Sequence, residues 1–66
     1  MKLWILKDSN HAKVYYRFYR PSCGLIWTGV KDRAAVFLDY SAAQDVVDEL
    51  ALLKEHFSVV SYEDVL

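Results

Sequence analysis

Cys23, His11 and His56 are the side chains of this 66-residue sequence suited to nucleophilic or general-base chemistry. With an aspartate they are the ingredients of an activated thiol. No spacing ties them together, and Cys23 sits beside Gly24 after Pro21-Ser22, a run with turn chemistry. As metal ligands the same three residues are scattered and lack the paired spacing of zinc sites. With Gly24 and Gly29 as its only glycines, the chain cannot form a glycine-rich phosphate loop. A chain this short also has little room to enclose a pocket of roughly 300 Å³ or more. The residues read as non-catalytic, without cofactor or metal.

Binding chemistry is better represented. A helical period runs from about Tyr40 to Glu55, and Leu52 lies half a turn from its apolar stripe, ringed by Asp45, Asp48, Glu49, Glu55 and His56. An apolar centre within acidic groups is the pattern of a small interface with a basic protein partner. Such a helix can occupy the basic channel of a nucleic-acid-handling enzyme by presenting negative charge where phosphate would go. The plain alternative is a solvated helix face.

A second group lies in the run Lys13–Arg20, dense in β-branched and aromatic residues and read as a strand. Strict alternation places Val14, Tyr16 and Phe18 on one face and Tyr15, Arg17 and Tyr19 on the other. Trp27 and Trp4 could join the latter across the sheet, and Arg20 adds a further cation. Aromatic rings interleaved with arginine suit single-stranded nucleic acid, with rings stacking on bases and guanidinium groups meeting phosphates. The same face could instead be core, or could cover a homodimer. The sequence favours a protein partner over nucleic acid, since it contains no RNP-like motif and carries a net charge of −1.

These groups must be positioned by a small set of elements. Lys2–Lys7 alternates as a strand, with Leu3 and Ile5 on one face and Trp4 and Leu6 on the other. Asp8–His11 is a turn, Pro21–Gly24 closes a hairpin, and Leu25 to Thr28 or Gly29 returns as a third strand. Lys31–Arg33 is a loop, and Ala34–Leu38 is an apolar run leading to the helix. Asp39 reads as the helix N-cap, with Ser41 and Gln44 as an alternative capping box. Ala43, Val46, Val47, Leu50 and Leu53 mark the core side of the helix, extended by Phe57. Phe57–Tyr62 alternates again as a last strand. The expected fold is one α+β domain over residues 1–66, an antiparallel sheet in β-β-β-α-β order with one amphipathic helix on one face. The opposite face is expected to be open to water or to a partner.

Composition sets the surroundings. Hydrophobic residues make up 55% and aromatics 15% of the chain, enough to fold a small core without a staple. One cysteine excludes an internal disulfide and points to the cell interior. Leu3–Leu6 is too short for a signal-peptide core, and nothing approaches the roughly 20 apolar residues of a membrane span. The expectation is a soluble cytoplasmic protein without membrane contact. Charge is polarised: residues 1–33 hold seven basic and two acidic groups, and residues 34–66 hold one basic and seven acidic. Such asymmetry suits two differently charged faces.

The run from Trp27 through Leu50 is similar to a pattern in many small uncharacterised phage and prophage proteins. There a tryptophan or tyrosine strand leads to an alanine and a phenylalanine before a capped helix with an early alanine. Trp27-Thr28, Ala35, Phe37, Asp39 and Ala43 occupy those places here, and the resemblance covers about residues 14–62. It implies the fold and a mobile-element origin. Small phage proteins are often inhibitors that bind a host machine, the anti-CRISPR proteins among them. Small size, such an origin and the acidic helix together suggest an inhibitor of a host nucleic-acid-handling or defence complex, working in the host cytoplasm on a host protein.

Overall fold

Four strands and one helix form from the expected runs, in the expected order. The computed structural model describes residues 2–11 and 13–64. In it β1 is Trp4–Asp8, β2 is Tyr15–Arg20, β3 is Gly24–Thr28, α1 is Tyr40–Leu52 and β4 is Phe57–Ser61. Short 3₁₀ turns occupy Lys31–Arg33 and Tyr62–Asp64. The strands lie in the order β3-β2-β1-β4, with every neighbouring pair antiparallel. The fold is α+β, with one helix laid on one face of the sheet.

Local chemistry explains each joint. The β2–β3 turn closes through Cys23 N–H donating to the Arg20 carbonyl at 3.0 Å, and Gly24 completes it at φ +78. Only glycine takes that backbone conformation without a Cβ penalty. Asp39 caps α1, its Oδ1 accepting from Ser41 N–H at 3.2 Å and from Ser41 Oγ at 3.0 Å. Gln44 donates onward to Asp48 at 3.1 Å, which fills no capping-box role. The helix ends at Leu52, three residues earlier than the period suggests. There Lys54 N–H donates to the Ala51 carbonyl and Glu55 N–H to the Leu50 carbonyl, with Lys54 at φ 64. This is a Schellman ending with lysine where glycine is usual.

The β1–β4 ladder is regular, from Trp4 opposite Ser61 to Asp8 opposite Phe57. By contrast, β1 meets β2 in register only at Lys7 and Tyr15. The opening half of β1 takes Phe37 as its partner instead, through reciprocal backbone bonds of 2.9 and 2.8 Å between Trp4 and Phe37. Ala35 N–H donates to the Tyr16 carbonyl at 3.0 Å, so the segment before α1 is seated where β2 leaves β1. The β2–β3 ribbon then continues beyond the rest of the sheet.

Two clusters of apolar residues result, one on each side. Beneath α1, Leu6, Ala43, Leu50 and Phe57 are buried, with Trp4, Tyr16, Leu25, Phe37 and Val59 packed around them. Tyr16 meets Phe57 edge-on at 6.1 Å, and Trp4 meets Tyr40 edge-on at 5.0 Å. On the far side Ile5, Tyr15 and Ala34 are buried beside Val60 and Tyr62. The far face is therefore partly covered by the chain itself, because Ala34 and the two 3₁₀ turns fold against it. Burying a side chain such as Leu6 or Ile5 completely contributes about 1.5–3 kcal/mol, so both sides of β1 matter to stability. Ser61 is 5% exposed, and its hydroxyl has no hydrogen-bond partner among the described residues.

Candidate interaction surfaces

The outer side of α1 gathers four of the five expected acidic-face residues. Asp45, Asp48 and Glu49 are exposed, and Leu52 is 85% exposed among them. Spacings of three and four along the helix put them opposite Ala43 and Leu50. No ion pair to any of these carboxylates is found among the described residues. The fifth, Glu55, lies elsewhere: α1 stops at Leu52, and the Schellman turn carries Glu55 to the flank that faces β3. His56 follows it there, its carbonyl accepting from Ser9 N–H at 3.0 Å. Glu49 stands on the side of α1 nearer β2. Burial first, and then the charge of Glu49, push the Tyr16 phenol above its ordinary 10.0, opposed by the Tyr19 backbone.

The sheet-face group is divided rather than joined. Cross-strand partners share a face. Tyr15 pairs with Thr28 and Tyr16 with Trp27, yet the next pair is Phe18 with Ile26, followed by Tyr19 with Leu25. A β-bulge at Arg17 inserts one extra residue, which transposes the faces beyond it. Tyr19 and Trp27 therefore lie on the helix side with Leu25, while Phe18 and Arg20 lie on the far side with Tyr15. Tyr15 is 4% exposed, which removes its ring from any stacking surface. Phe18 and Tyr19 are both misplaced by strict alternation. The Phe18 ring is approached by Arg17 Cζ at 5.6 Å and Arg20 Cζ at 5.0 Å from its centre. From Ser9 through Lys31 the sequence contains no Asp or Glu, so this ribbon is the basic pole of the molecule.

Cys23 is exposed at the ribbon tip. His11 and His56 lie at the other end, by the close of β1. The six residues of β2 separate the two ends by about 20 Å at about 3.3 Å per residue. The thiol and the imidazoles are not brought together. Among the described residues no group of three or more His, Cys, Asp or Glu could hold a metal ion. Among them, too, no helix is long and apolar enough to cross a membrane.

The surface of the chain carries a cleft of ligand size, open to solvent rather than enclosed. The cleft, of about 630 Å³, opens beside the end of α1, lined by Asp8, His11, Val14, Leu25, Trp27 and Glu55. It exists because α1 rests mainly on β4 and β1 and leaves Trp27 on β3 largely uncovered. Trp27 stands at its wall, 58% exposed. Compared with protein-family models, with curated proteins and with solved structures, the chain matches none.

Proposed function

We propose that this protein is a non-catalytic binding module that engages a basic protein surface through the outer face of α1. The observation that carries the reading is Leu52, 85% exposed among Asp45, Asp48 and Glu49 on the face opposite the core. Leucine supplies the desolvated contact, and the exposed carboxylates steer a cationic partner and exclude an acidic one. Asp48 is held in place by Gln44. The likeness of residues 14–62 to small phage proteins supports a narrower form of the proposal. In that form the module is a phage-derived inhibitor, anti-CRISPR-like in action, with its acidic helix set where a host complex would otherwise receive phosphate.

The test is capture from nuclease-treated host lysate on immobilised wild-type protein and on the Asp45→Arg/Asp48→Arg variant. A defined protein retained by the wild type and lost by the variant, with the variant's circular dichroism and melting temperature unchanged, supports the reading. Identical retention by both proteins overturns it.

A second reading is favoured by the Arg17–Phe18–Arg20 arrangement on the ribbon. Two guanidinium groups beside one ring, on a stretch without carboxylates, suit single-stranded nucleic acid. Phosphate contacts would make binding fall steeply with salt, and Arg17→Ala would flatten that dependence.

A further inference from the structure

The cleft beside the end of α1 has a composition that selects for one kind of guest. Its apolar surfaces come from Val14 and Leu25, and its wall is the indole of Trp27. A tryptophan that is 58% exposed leaves a large part of an aromatic side chain open to a guest. Two carboxylates, Asp8 and Glu55, stand at the same cleft beside the His11 imidazole, and no ion pair to either carboxylate is found among the described residues. Its volume falls within the range of about 300–1,000 Å³ typical of small-ligand pockets.

The framework around these groups is fixed by backbone bonds. Asp8 N–H donates to the Val14 carbonyl at 2.8 Å, and Asp8 sits opposite Phe57 in the β1–β4 ladder. One carboxylate oxygen of Asp8 accepts from Asn10 N–H at 2.7 Å, which leaves the other for a ligand. Glu55 is set by the bond from its own N–H to the Leu50 carbonyl at 2.9 Å.

We infer that this cleft receives an arginine side chain of a partner protein, its stem against Leu25 and Val14 and its guanidinium stacked on Trp27 between Asp8 and Glu55. The guanidinium plane satisfies both requirements at once, since it stacks on an aromatic face and presents a fork of donors to carboxylates. A lysine offers only a point charge, and an acidic guest is repelled. The inference uses none of the residues of the outer helix face, so the two sites stand or fall separately.

The experiment is a titration of the whole protein with Nα-acetyl-arginine amide, followed through the indole N–H resonances of Trp4 and Trp27 and assigned with Trp27→Phe. The expected result is a saturable shift of the Trp27 signal, with a dissociation constant on the order of millimolar for so small a probe. Nα-acetyl-norleucine amide should bind at least about tenfold more weakly, because it keeps the stem and loses the charge and fork. The pair Asp8→Asn and Glu55→Gln should weaken the arginine probe by at least about tenfold. This variant keeps the acceptor for Asn10 and so preserves the turn. Absence of a saturable shift, equal binding of norleucine, or full binding by the double variant overturns the inference. Equal binding of Nα-acetyl-lysine amide overturns the assignment to a guanidinium. The Asp45→Arg/Asp48→Arg variant should titrate like wild type, which separates failure of this site from failure of the helix face.

Discussion

The Tyr62 hydroxyl donates a hydrogen bond to the Asp32 carboxylate, and Lys31 Nζ stands 4.0 Å from the centre of the Tyr62 ring. One side chain thus joins the 3₁₀ turn after β3 to the one after β4. The two turns are distant in sequence, and they meet over the side of the sheet that α1 does not cover. Ala34, next to the first turn, is buried there against Ile5 and Tyr15.

The bond to Asp32 raises the Tyr62 phenol above its ordinary 10.0, so the folded state favours the protonated form. Its contribution to stability is complete below about pH 10 and is lost as pH rises through the raised folded-state value. Tyr62→Phe keeps the ring and removes the donor. In urea unfolding followed by tryptophan fluorescence, the variant should be less stable than wild type at pH 8, and the gap should close above about pH 10. Tyr16 is shifted in the same direction and remains in both proteins, so both should still lose stability in alkali. A gap that stays constant across that range would assign the stabilisation to something other than the hydroxyl.

Leu50 and Leu52 are two residues apart on α1 and have opposite roles. Leu50 is 2% exposed in the cluster with Leu6 and Phe57, and Leu52 is 85% exposed. Leu50→Ala should cost about 2–5 kcal/mol. A domain of this size has a total stability of only about 3–10 kcal/mol, so much of the Leu50→Ala protein should be unfolded at 37 °C. Leu52→Ala should change stability by less than about 0.5 kcal/mol. Urea midpoints measured side by side check both, and a large effect at Leu52 would place it in a contact within the chain.

Lys54 holds the left-handed position that ends α1, at φ 64. An L-residue there carries a steric cost that glycine avoids. Lys54→Gly should therefore raise stability by about 0.5–1 kcal/mol, part of the gain being offset by the greater freedom of glycine in the unfolded chain. Lys54→Ala should leave it close to wild type. A fall on Lys54→Gly, read from thermal or urea unfolding, would show that the lysine side chain itself supports the helix end.

The parts of this fold that follow from repeating patterns were legible in the sequence. The period of α1 as far as Leu52, the Asp39 cap, the Pro21–Gly24 turn and the alternation of β1 and β4 each rest on local chemistry and are found in place. Leu53, expected on the core side, lies past the helix end and is exposed. What escaped depended on single residues that break a pattern without a marker. Arg17 is an ordinary strand residue in the sequence, and the bulge it forms moves Phe18 and Tyr19 to faces opposite to those alternation assigns. Lys54 gives no glycine signal for a helix end, so the helical period runs on to Glu55 in the sequence although the backbone turns at Lys54. A single helix in the sequence implies a far side of the sheet open to water or to a partner. A single small residue, Ala34, is enough to bring the loop down upon it.

The strand order β3-β2-β1-β4 interleaves the two halves of the chain. A cut at the exposed Pro21–Cys23 turn leaves the two inner strands on one fragment, and both outer strands and the helix on the other. Neither fragment owns a finished interior: Ile5 and Leu6 belong to the first, and Ala34, Ala43, Leu50 and Phe57 belong to the second. Severed there, the protein becomes a two-component lock. Its closure is bimolecular and concentration-dependent, and each fragment templates the order of the other.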